Sequence, residues 1–142
     1  MLKSIKSLAT ATIALGILGL AGCATPPTKV VYHVNDSAEA VNAMRNANNH
    51  LDADPTAKIT FVTHSKGVDF LLEGGADKEG NPYNIPVEKL MSRGVTFDVC
   101  SNTLVKRKID AKTVLPGSKI VPSGVAEVAT LQAKHGYVYI KP

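Results

Sequence analysis

Apolar positions along this chain switch repeatedly between short continuous runs and helical spacing, and the switching predicts strands alternating with helices. Val30-Val31-Tyr32-His33-Val34 is a near-continuous apolar run, the mark of a strand buried on both faces. Asn35-Asp36-Ser37 turns the chain, with Asp36 as cap and Glu39 three residues later in a capping-box-like start. Ala38, Val41, Met44, Ala47 and Leu51 then recur at helical spacing until Pro55 stops the helix. Ile59-Thr60-Phe61-Val62-Thr63 reads as a second strand, and Val68, Leu71 and Leu72 as a short helix closed by Gly74-Gly75. After a polar loop, Pro86 opens a helix with Val87, Leu90 and Met91 inward, and Gly94 ends it. Val95, Phe97 and Val99 alternate as a third, half-buried strand, and Leu104 to Ile109 is a short helical piece. Lys119-Ile120-Val121 is a fourth strand. Pro122-Ser123-Gly124 opens a last helix, Gly136 closes it, and Tyr137-Val138-Tyr139-Ile140 is a fifth strand.

This alternation predicts an α/β fold: a three-layer α/β/α sandwich around a mostly parallel five-stranded sheet, wound in the flavodoxin manner. Right-handed crossovers gather the loops after the strands on one rim, where open α/β sheets bind their ligands. Asn35, Asp36, His64, Ser65, Cys100, Ser101, Asn102 and Ser123 are expected there. Cys100 stands out, because it ends the third strand directly before a helix. Ser101, Asn102 and Thr103 are good capping residues, and the unpaired N–H groups of a helix start favour a thiolate. Asp98 opposes this: by alternation it shares a face with Cys100, and a nearby carboxylate raises a thiol pKa.

The amino terminus has a different character. Lys3 and Lys6 precede an apolar stretch from Leu8 to Leu20, the pattern of a cleavable signal peptide. Leu20-Ala21-Gly22-Cys23 resembles the lipobox of bacterial lipoproteins, which implies cleavage before Cys23 and lipidation of that cysteine. The expected organisation is therefore a signal peptide at 1–22, a lipidated Cys23 and tether at 23–29, and one α/β domain at 30–142. The expected location is the cell envelope, anchored by lipid. Ala24 directs the anchor to the periplasmic side of the outer membrane if the cell is Gram-negative. The two leader lysines account for half of the formal net charge of +4. No basic stripe interleaved with aromatics remains, so nucleic acid is not an expected partner. Lipidation of Cys23 also leaves Cys100 as the sole thiol of an exported chain, where the compartment is oxidising.

Several chemistries find no support. The first strand-to-helix turn has no glycine, so the dinucleotide and P-loop cradles are absent and no cofactor is expected. No G-x-S-x-G elbow marks a serine hydrolase. His33, His64 and Cys100 match no zinc spacing, so no metal is expected. A Cys–His pair, with His64 moving a proton for Cys100, is compatible with both residues following strands on one rim.

From Lys29 to Pro142 the chain resembles the DsrE/DsrF-like superfamily. The residues that carry this are the Val-Val-Tyr-His-Val strand, Leu90-Met91-Ser92-Arg93-Gly94-Val95, Phe97-Asp98-Val99-Cys100-Ser101-Asn102-Thr103-Leu104, Val121-Pro122-Ser123-Gly124-Val125 and the ending Gly136-Tyr137-Val138-Tyr139-Ile140-Lys141-Pro142. The resemblance implies a three-layer domain that forms homo-oligomers, trimers or hexamers. In sulfur-relay members a cysteine at the position of Cys100 carries a persulfide. This chain departs from them in its exported, lipobox-bearing amino terminus and in Asp98 beside the cysteine. The expected function is an envelope sulfur carrier or transferase. It would use Cys100, a proton from His64 and the helix start at Ser101, Asn102 and Thr103, and exchange sulfur with a thiol-bearing donor protein. The alternative is a non-catalytic oligomeric binding or assembly module with a structural Cys100.

Overall fold

Five strands pair side by side, all parallel, in the order β4–β3–β2–β1–β5. They are β1 (Lys29–Val34), β2 (Lys58–Thr63), β3 (Thr96–Cys100), β4 (Lys119–Val121) and β5 (Val138–Ile140). The structure, a computed structural model, describes residues 25–142. The signal peptide and Cys23 lie outside the described residues. Four α-helices connect the strands: α1 (Ala40–Ala53), α2 (Asn84–Ser92), α3 (Ser101–Arg107) and α4 (Gly124–His135). Short 3-10 segments at Ser37–Glu39, Ser65–Leu71 and Ala111–Thr113 complete the connections. The segment read as a short helix around Val68 and Leu71 is the second of these. Pro86 is the third residue of α2, in its first turn, and Gly94, at φ +86, turns the chain out of the helix.

The winding is one-sided. From β1 through β2 and β3 to β4 the chain always steps the same way, and right-handed crossovers then place α1, α2 and α3 on one face. Only the step from β4 back to β5 runs in the opposite direction, and it carries α4 to the other face. The three layers expected from the sequence are present, but the second outer layer is a single helix. The strand order also differs from the 2-1-3-4-5 order of flavodoxin.

The main core lies on the α1–α3 face. Tyr32, Phe61 and Phe97 are register partners across β1, β2 and β3, and their rings form a stack. Tyr32 and Phe61 centroids are 5.2 Å apart and Phe61 and Phe97 centroids 4.9 Å apart. Phe70 meets the last two rings edge-on at 6.4 and 6.3 Å. Ala40, Ala43, Met44, Ala47 and Leu51 of α1 and Val87 and Leu90 of α2 pack onto this layer, as their helical spacing predicts.

The α4 face is leaner. Its buried apolar cluster is Val31, Val62, Val128 and Leu131, with Tyr137 at its margin. Polar residues fill the gaps: Thr60 and Thr96 share a hydrogen bond of 2.8 Å, and Asp98 is only 3% exposed. β3 is therefore buried on both sides and not half-buried as its alternation predicts. The Asp98 backbone carbonyl accepts from Thr63 Oγ1 at 3.2 Å, but among the described residues no hydrogen bond reaches its carboxyl group. Burial raises its pKa to about 6, with Lys119 pulling it down and Glu127 pushing it up.

A carboxyl whose folded-state pKa is raised favours the fold while protonated. Its stabilisation is fully present below the unfolded value of 3.8 and is lost as pH rises through about 6. Replacing Asp98 by Asn, which is neutral at every pH, is expected to stabilise the protein by about 1–2 kcal/mol near pH 8, with the gain shrinking toward about pH 4. Urea unfolding of both proteins at several pH values measures this, and an Asn variant equally destabilised throughout would contradict it.

Candidate functional site

The flush register of the parallel strands brings their carboxyl ends to one rim. His33 lies one residue before the end of β1, His64 directly follows β2, Cys100 ends β3, and Ser123 and Gly124 follow β4 closely. Cys100 itself occupies the cap position of α3, in extended conformation. Ser101, Asn102 and Thr103, predicted as capping residues, form the first turn of that helix and make no side-chain cap bond. The reason is that β3 runs straight into α3 with no residue between them. At the start of α4, Ser123 does cap, accepting from the Ala126 N–H at 3.5 Å.

Cys100 is buried, at 5% exposure. Burial alone would raise its pKa. The Thr103 hydroxyl and the N–H groups of Gly124, Thr103 and Asn102 act the other way and together prevail, so the thiol lies below its ordinary value. The Asn102 N–H also reaches the Pro122 carbonyl at 3.3 Å, which divides its contribution. Asp98, expected to oppose the thiolate, interacts instead with Lys119 and Glu127. Gly124 lies close enough to act on the thiol because it has no side chain. A β-carbon there would sit 3.0 Å from the Thr63 carbonyl oxygen and 3.2 Å from the β-carbons of both Cys100 and His64.

His64 is thus a close neighbour of Cys100, but its ring nitrogens are engaged elsewhere. Nε2 meets His33 Nε2 at 2.7 Å, and Nδ1 meets Ser65 Oγ at 2.9 Å. His33 Nδ1 continues the chain to the Tyr139 hydroxyl at 2.8 Å. Among the described residues no hydrogen bond joins His64 to Cys100. Burial lowers both histidine pKa values, with Lys141 contributing to each and His64 to that of His33. Two neutral rings satisfy all three contacts with one N–H between them, the hydroxyls of Tyr139 and Ser65 donating or accepting at the ends. Lys141 Nζ bonds Asn35 Oδ1 at 2.7 Å beside them. The sequence reading overlooked Tyr139 and Lys141 as site residues and treated His33 only as an unlikely ligand. The available signal was one imidazole in an otherwise apolar first strand.

Among the described residues no group of three or more His, Cys, Asp or Glu side chains gathers as metal ligands. A groove of about 690 Å³ runs between α1 and α2 and is lined by Met44, Arg45, Tyr83, Ile85, Lys89 and others. It contains no cysteine, no histidine and none of the rim residues, so the thiol and this groove are separate.

The sequence model of the DsrE/DsrF-like family matches residues 23–142. Among solved structures, the chain is similar to MTH1491 of Methanobacterium thermoautotrophicum, a protein of unknown function. The TM-score is 0.72 at 30% identity, covering 81% of this chain and 99% of that one. It is also similar in fold to the ychN protein of E. coli, with TM-score 0.65 at 18% identity, covering 83% of this chain and 100% of that one. A search of curated proteins found no match.

The Gly124 contact has a measurable consequence. Gly124→Ala must push α4 away from the ends of β2 and β3, at a cost of about 1–3 kcal/mol for overpacking, and it withdraws an N–H from the sulfur. The variant is expected to unfold at lower denaturant concentration and to show a raised thiol pKa. Chemical denaturation and a thiolate absorbance titration read the two effects.

Proposed function

This chain belongs to the DsrE/DsrF-like family, a family of the sulfur-relay type, and from that premise we propose that Cys100 carries sulfane sulfur in the cell envelope. The observation that carries this reading is the set of donors around the thiol: one hydroxyl and three backbone N–H groups converge on the only cysteine among the described residues. Donors in that arrangement hold negative charge on sulfur, which the thiol needs as a nucleophile. In the proposed step the Cys100 thiolate attacks the outer sulfur of a donor persulfide, R–S–SH. A new S–S bond forms at Sγ, the donor's S–S bond breaks, and the donor leaves as R–S⁻ to take up a proton from solvent. The product is Cys100–S–SH, with no net oxidation. Reversal of the step on an acceptor thiolate passes the sulfur on.

Anchoring through a lipidated Cys23 is part of the same proposal and rests on Leu20-Ala21-Gly22-Cys23. So is assembly into a homo-oligomer, a trimer or hexamer. Exposed apolar side chains support it: Val105 of α3 is 75% exposed and Val125 of α4 is 61% exposed, on the two helices that start at the thiol.

One observation favours a second reading. At 5% exposure Cys100 packs as a small apolar side chain would, which suits a binding or assembly module with a structural cysteine. Incubating the purified full chain with polysulfide and weighing it intact separates the two. A carrier gains the mass of one or more sulfur atoms at Cys100, assigned by peptide mapping because Cys23 is also present. The gain is lost with reductant and absent in Cys100→Ala. No gain at Cys100, together with a Cys100→Ser variant that loses stability alone, would establish the structural role.

A further inference from the structure

Ser65 is a backbone anomaly beside the thiol. Its φ is +55, a region that non-glycine residues rarely adopt. Lys108, the other such residue among those described, is the ordinary left-handed cap at the end of α3. Ser65 ends no helix. It opens the 3-10 segment directly after the extended His64, where strain has to be held by its surroundings.

Three contacts hold it. The Ser65 N–H donates to Thr103 Oγ1 at 3.0 Å. The Ser65 carbonyl accepts from Arg107 Nη1 at 2.9 Å, and the same nitrogen reaches Asp69 Oδ1 at 2.6 Å. Thr103 and Arg107 are four residues apart and therefore share one face of α3. That face grips the two ends of Ser65, accepting at its nitrogen and donating at its oxygen. Two residues on, Gly67 fixes the far side of the loop, since a β-carbon there would lie 2.1 Å from the Val34 carbonyl oxygen.

The grip decides where the Thr103 proton points. A hydroxyl has one proton to give. Thr103 lies three residues after Cys100 at the start of α3 and lowers the thiol's pKa. With Oγ1 accepting from the Ser65 N–H, its O–H is the group left to serve the sulfur. If Ser65 relaxed to an ordinary negative φ, its N–H would swing away and the hydroxyl would be free to rotate off the sulfur.

We propose that Arg107 is a positioning residue for the Cys100 thiol, acting at a distance by locking Ser65 in its left-handed conformation and so fixing the Thr103 hydroxyl toward the sulfur. The inference rests on Cys100 being the reactive thiol. Its test does not involve sulfur transfer, so either reading can fail alone. The titratable and charged groups around the thiol are Asp98 on β3, His64 and behind it His33 at the ends of β2 and β1, and Arg107 on α3. From α4 come the neutral Gly124 amide and, one turn on, Glu127.

The experiment is a pH titration of thiolate absorbance on the full chain, taken as the difference from its Cys100→Ala variant so that Cys23 cancels. Thr103→Val is expected to move the midpoint up, and Thr103→Ser to keep it. Arg107→Met and Arg107→Lys should both move it up, because a lysine keeps the charge on a shorter side chain that does not reach the position from which Nη1 bonds the Ser65 carbonyl. A shift of about half to one unit lowers the thiolate fraction near neutral pH by about three- to tenfold. Arg107→Met added to Thr103→Val should move it little further. Ser65→Gly, which takes a positive φ without strain, should restore the midpoint in the Arg107→Met background. An unmoved midpoint in a folded Arg107→Met protein overturns the proposal. So does a shift that Arg107→Lys does not share, which would make the effect one of charge alone. If Arg107→Met fails to fold, Arg107→Lys and the Ser65→Gly pair carry the test, and absence of the rescue overturns the proposal.

Discussion

The missing side chain of Gly124 is the constraint on which the site turns. Among the described residues α4 is the entire second layer, and its first residue must lie on the ends of β2 and β3 for that layer to close. The space between the Thr63 carbonyl, Cys100 and His64 admits a hydrogen atom and little more. The close approach does two things at once. It seats the helix on the sheet, and it brings a backbone N–H that lowers the thiol's pKa at no side-chain entropy cost. Packing and electrostatics at this point are one contact.

The main core sets the stage for that contact. Tyr32, Phe61 and Phe97 stack across three strands and pin their register, and a slip of one residue would turn every one of these rings to the other face. The same register carries His33, His64 and Cys100 to one rim a residue or a few beyond the rings. The aromatic layer therefore acts on the chemistry without touching it: it fixes which strand ends are neighbours. The α1–α2 groove shares no residue with this arrangement.

Much of the fold was legible in the sequence because it rests on local signals. Most strand and helix periods, the turn at Gly94, the Asp36 cap, the opening of the last helix at Pro122-Ser123-Gly124 and its stop at Gly136 each depend on a few adjacent residues, and the structure bears them out. Cys100 at a strand end followed by a helix was legible for the same reason. The one-sided winding was not, since it depends on which side of β1 the last strand joins, and three exposed or half-buried residues carry that choice. Capping by Ser101, Asn102 and Thr103 misread a junction with no spare residue. The roles of Ser65 and Arg107 were beyond reach, because a strained φ and a contact spanning 42 positions leave no local trace.

The thinness of the second layer has a dynamic consequence. Proteins open locally where few buried apolar contacts hold an element in place. The α1–α3 face is secured by an extensive aromatic and aliphatic core, whereas α4 rests on Val31, Val62, Val128 and Leu131. α4 is accordingly the layer that detaches at least cost, and its detachment bares the sulfur while the stacked rings stay in place. Exposure of Cys100 is then tied to the local opening of one helix, a property of the fold that the static exposure of the thiol does not measure.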